Sequence, residues 1–65
     1  MLTAAEATKE RDSLRATYAV VVEEKIRCLA IGSTEGVKIL NDAAGLLIEE
    51  IAWLSEIVDG EKTGH

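Results

Sequence analysis

The sequence predicts an all-α fold: an antiparallel two-helix hairpin over about residues 3–31 and 34–59, paired with a second copy as a homodimeric four-helix bundle. Three observations carry this. From Thr3 to Ile31 there is no glycine or proline. From Val37 onward the residues Val37, Leu40, Ala44, Leu47, Ile51, Leu54 and Val58 follow the spacing 3, 4, 3, 4, 3, 4, an unbroken apolar seam of the kind that packs a helix lengthwise on a partner helix. Between the two stretches lies the only interior turn signal, Gly32-Ser33-Thr34-Glu35-Gly36.

The first helix has a defined start. Thr3 is followed three residues later by Glu6, the spacing of a capping box, in which the threonine hydroxyl accepts from the Glu6 amide and the glutamate reaches back to the Thr3 amide. Leu2 stands where a hydrophobic staple begins, with the small Ala7 as its partner position. At 100° per residue, Leu14, Tyr18, Val21, Val22, Cys28 and Leu29 share a sector of about 120°, with Ile26 at its edge. The turns Ala4 to Arg11 are Ala-rich and charged and are expected to add little to the core. Val20-Val21-Val22 is β-branched and lowers helix propensity, so packing has to compensate.

Gly32 suits the left-handed position after a helix C-terminus, and Ser33 or Thr34 can cap the second helix with Glu35 in its first turn. The second helix is expected to run to about Asp59 and to stop at Gly60. This makes residues 1–59 one hairpin domain and 60–65 a frayed tail. Gly45, inside the helix, costs about 1 kcal/mol relative to alanine and would permit close approach of a neighbouring backbone.

Sixty-five residues form one small domain whose two helices cannot enclose much core, so a staple or a partner is needed. Cys28 is the only cysteine, which rules out an internal disulfide, and no Cys/His set has zinc spacing. A second line, Ile39, Leu46 and Trp53, runs beside the seam with a seven-residue period, and Ile57 lies near it. One helix with two apolar lines wants two neighbours. Ile39, Leu46, Trp53 and Ile57, with Tyr18 of the first helix, are therefore the expected partner or dimer interface. Trp53 either joins a dimer core or anchors a different protein, because Trp and Tyr dominate interface hot spots.

The net charge is −5 and the pI about 4.7, which disfavours binding to nucleic-acid phosphates. Lys9, Arg11 and Arg15 are the candidate basic contact spot; their ordinary reading is a solvated face paired with Glu10 and Asp12. Lys25 falls in the apolar sector of the first helix, where a lysine either fixes register or extends its ammonium to water. Cys28 reads as a small core residue, and Glu23-Glu24 and Glu49-Glu50 as solvated pairs. His65 is a lone histidine near the chain end. No nucleophile–base pair, Gly-rich phosphate loop or metal constellation is visible, so neither an enzyme nor a cofactor is expected. The longest apolar run, Tyr18 to Val22, is far short of the ~20 residues of a membrane span, and no basic start precedes an apolar core as in a signal peptide. Together with the single unpaired cysteine, this suggests a cytoplasmic protein.

Function by exclusion is protein–protein interaction: an inhibitor, anti-activator or adaptor that covers a surface of a larger regulator or machine, a style of protein common in phages and mobile elements. Two resemblances supply alternatives. The hairpin dimer is similar in architecture to the Rop family of plasmid copy-number proteins, which implies RNA binding through Lys9, Arg11 and Arg15. If Ile26–Ile31 and Val37–Leu40 paired as a β-hairpin, the helix–hairpin–helix pattern, with Lys25 and Arg27 as its basic patch, would resemble the W-type phage head–tail joining proteins and imply a virion part. Val37 and Leu40 belong to the heptad seam, which favours helix there.

Overall fold

The computed structural model is an antiparallel hairpin of two long helices, α1 (Ala4–Ile31) and α2 (Thr34–Thr63), packed along each other in a body of 50 × 17 × 14 Å. It describes residues 2–63, with side chains from Leu2 to Gly60.

Each helix end has a local cause. At the start of α1 the capping box is formed: the Glu6 amide donates to Thr3 Oγ1 at 3.1 Å, and the Thr3 amide donates to Glu6 Oε1 at 3.0 Å. The Thr3 backbone and side-chain hydrogen bonds hold the Glu6 carboxyl below its ordinary value of 4.5, because they favour the charged form. At the other end Gly32 is left-handed (φ 77°). Its amide donates to the Leu29 carbonyl at 3.2 Å, and the Ser33 amide donates to the Cys28 carbonyl at 2.9 Å. This is a Schellman stop, and the left-handed position carries no Cβ penalty for glycine. Ser33 also starts α2: its Oγ accepts from the Gly36 amide at 3.2 Å and its carbonyl from the Val37 amide at 3.0 Å.

Stop and start thus share a two-residue connection, shorter than the five-residue turn read from the sequence. Among the described residues there is no strand, and 26–31 and 34–40 are helical. The helical reading of this stretch holds, and the alternative β-hairpin over 26–40, on which the virion reading depended, is not formed. The Schellman stop and serine cap satisfy the backbone locally and leave no extended segment to pair.

α2 runs through Gly60 to Thr63 rather than stopping at Asp59. A glycine inside a helix costs only about 1 kcal/mol, which is too little to end it without a left-handed cap. Gly64 and His65 lie outside the described residues, as does any role for the histidine.

The core sits at the open end of the hairpin. Ala7, Leu54 and Val58 form a buried cluster, with Leu2, Leu14 and Ile57 packed against it; Ala44 is buried further toward the turn. Ala7 is fully buried, which corrects the expectation that the first turns of α1 add little. A methyl side chain lets the two helix axes approach, so that Leu54 and Val58 close over it.

Near the turn Gly36 faces α1. A Cβ there would stand 2.9 Å from both Cys28 Sγ and the capping Ser33 Oγ. Gly36→Ala is therefore expected to destabilise the hairpin by about 1–2 kcal/mol despite alanine's better helix propensity. In a Cys28→Ala background the loss should shrink, and this coupling is readable in a double-mutant cycle of urea melts.

Candidate interaction surface

All seven seam residues of α2 lie on its less exposed side: Ala44, Leu54 and Val58 are buried, and Val37, Leu40, Leu47 and Ile51 half-buried. α1 has a companion seam that the sequence reading missed. Ala4, Ala7, Arg11, Leu14, Tyr18, Val21, Lys25 and Cys28 repeat at 3, 4, 3, 4, 3, 4, 3, and every one is buried or half-buried. The signal was present in the spacing, but two charged members, Arg11 and Lys25, and the small alanines concealed it. Leu29, assigned to the apolar sector, is 60% exposed.

The two charged seam residues behave differently. Lys25 Nζ donates to Asn41 Oδ1 at 2.8 Å, an exposed side-chain bond from α1 to α2. The Arg11 side chain is 18% exposed and its Nε stands 3.7 Å from Asp12 Oδ1, without a hydrogen-bond partner. Arg11 is thus a seam residue and not part of a solvated face. Lys9 and Arg15 are exposed, but Lys9 is two positions from Arg11, hence 200° away around the helix. Lys9 therefore lies on a different side of α1 from Arg11 and Arg15, which are neighbours four residues apart.

The hairpin leaves several large apolar side chains uncovered. On α2, Ile39, Leu46 and Trp53 are 62%, 69% and 51% exposed and lie on one line. Ile57 is half-buried and packs on the Ala7 cluster, so it serves the fold as well as the end of this line. Tyr18 does not join it. Tyr18 lines an open groove of about 530 Å³ on the other side of the hairpin, with Val22, Ile26 and Leu29 from α1 and Ala44, Gly45 and Ile48 from α2. Ile48 is two residues from Leu46, which places groove and stripe on opposite flanks of α2. Ile26, at the edge of the apolar sector of α1, is 60% exposed, and Ile48, which sits off both heptad lines of α2 and was not singled out from the sequence, is 51% exposed. Gly45 has no atom within 4 Å of where its Cβ would be, so within one hairpin it serves no close contact.

The remaining candidates are quiet. Cys28 is half-buried, Arg27 pairs with Glu24 at 3.2 Å on the surface, and Glu23, Glu49 and Glu50 are exposed. Among the described residues no group of three His, Cys, Asp or Glu side chains could hold a metal ion, and no helix is long and apolar enough to cross a membrane. Comparison of the chain with family models, curated proteins and solved structures gave no match.

Proposed function

We propose that this protein is a non-enzymatic interaction module that acts by covering a surface of a larger protein, as an inhibitor, anti-activator or adaptor, and that it does so as a homodimer. The exposed line Ile39, Leu46 and Trp53 carries the reading: three large apolar side chains, seven residues apart, more than half exposed on a rigid helix. Covering what remains exposed of such side chains contributes about 1–2 kcal/mol each, and tryptophan is among the residues enriched at hot spots.

The dimer half of the reading rests on area. The hairpin exposes 4804 Å², whereas a folded 7.0 kDa chain is expected to expose roughly 4,000 Å². The surplus is close to the ~800 Å² that each partner buries in a standard interface. The groove is the side to which both helices contribute apolar surface, through Val22, Ile26 and Leu29 on one and Ile48 on the other. Two grooves pressed together would form a four-helix bundle and leave the stripe free. The cytoplasm suits a chain with one unpaired thiol.

Light scattering tests the assembly. The wild type is expected at twice 7.0 kDa. Ile26→Asp/Ile48→Asp should fall to the mass of one chain, and Leu46→Asp should remain a dimer. A monomeric Leu46→Asp beside a dimeric groove variant would move the dimer interface onto the stripe.

A further inference from the structure

The charge on the two helices is divided unevenly. α1 carries five acids and five bases, whereas α2 through Asp59 carries six acids against the single base Lys38. Four of those acids form a line of their own: Glu35, Asp42, Glu49 and Glu56 repeat every seven residues, and all are exposed. Each lies three or four positions from a stripe residue, so the acidic line runs beside the apolar line over about six turns of helix. On the other flank of the stripe stands the exposed Glu50. None of these five carboxylates is within ion-pair distance of a base among the described residues.

This charge pattern selects the occupant. A second copy docked antiparallel through the stripe would set acidic line against acidic line, and like charges there oppose pairing. A nucleic acid is repelled by the same carboxylates. We propose that the stripe receives a basic amphipathic helix from the partner protein, laid lengthwise on α2. Its apolar line would cover Ile39, Leu46 and Trp53, and its flanking lysines or arginines would face the acidic line and Glu50. This inference rests on the reading of the stripe as a docking surface, and it adds the chemical class of what docks.

The test uses the full-length protein and three 21-residue peptides. One carries leucines at heptad spacing flanked by lysines, the second the same leucines flanked by glutamates, and the third is the lysine peptide with its order scrambled. Binding is read by the fluorescence anisotropy of a dye on each peptide and, separately, by the emission of Trp53, the only tryptophan. The lysine peptide is expected to shift the emission to the blue. The glutamate and scrambled peptides should bind at least about tenfold more weakly, and raising the salt should weaken the lysine peptide's binding. The variant Glu35→Lys/Asp42→Lys/Glu49→Lys/Glu56→Lys should invert the preference between lysine and glutamate peptides. Leu46→Asp, checked for retained helicity, should bind neither. Equal shifts with both leucine peptides would overturn the basic-helix proposal while leaving the stripe as a docking surface. So would binding of the lysine peptide with no change at Trp53, or no response to any peptide from a solvent-exposed Trp53. An emission already blue in the protein alone, unaffected by any peptide, would overturn the docking reading itself.

Discussion

Leu54→Ala is expected to lower the unfolding free energy by about 2–5 kcal/mol, the largest effect of any single truncation in this chain. Among the described residues Leu54 is the one large side chain that is fully buried, 1% exposed, and it closes over Ala7 beside Val58. Its removal opens a cavity in a cluster that has few other members to collapse into the space. A small domain has only several kcal/mol of stability in total, so a loss at the upper end leaves the chain largely unfolded at 25 °C. Urea titration followed by helical circular dichroism at fixed protein concentration measures it; the concentration is held because unfolding and dissociation are linked in a dimer. Leu46→Ala, by contrast, should change stability by only a few tenths of a kcal/mol, since Leu46 is 69% exposed.

The second large effect is expected from the opposite change at the same place. Ala7 has no accessible surface, and a leucine there has to push α2 away or force strained rotamers on Leu54 and Val58. Ala7→Leu should destabilise by about 1–3 kcal/mol. In the double variant Ala7→Leu/Leu54→Ala the added volume meets the created cavity, so the combined loss should be smaller than the sum of the single losses. An additive result would show that the two side chains do not share one packing site.

The fold was largely readable from three kinds of residue. The heptad line of α2 could be read because every member is apolar. The start of α1 could be read because Thr3 and Glu6 form a local motif that needs no tertiary partner. Gly32 marked the turn because a left-handed stop selects glycine. What escaped was set by tertiary packing. Ala7 looks innocuous in sequence and is buried only because α2 approaches closely enough to cover it. Arg11 and Lys25 broke the apolar pattern of α1 although both occupy seam positions; Lys25 does so by bonding Asn41 across the hairpin. The groove around Ile26 and Ile48 needs both helices in register, which no single-helix period encodes. Among the candidate site residues, the Ile39, Leu46 and Trp53 line was legible as a second apolar period. Tyr18 belongs to the apolar sector of α1 and lies on the other side of the hairpin, in the groove.

The measurement that bears most directly on the exposed stripe is acrylamide quenching of Trp53 in the folded protein. Trp53 is half-exposed in the hairpin and is the only tryptophan, so its emission reports that one position without interference. If the stripe faces solvent until a partner covers it, quenching should remain substantial in the folded protein and should not change as the protein concentration is lowered through the range in which the proposed dimer would dissociate. Emission that is blue-shifted and shielded from acrylamide in the protein alone, and that becomes quenchable on dissociation, would contradict this and would place Trp53 inside the protein's own dimer.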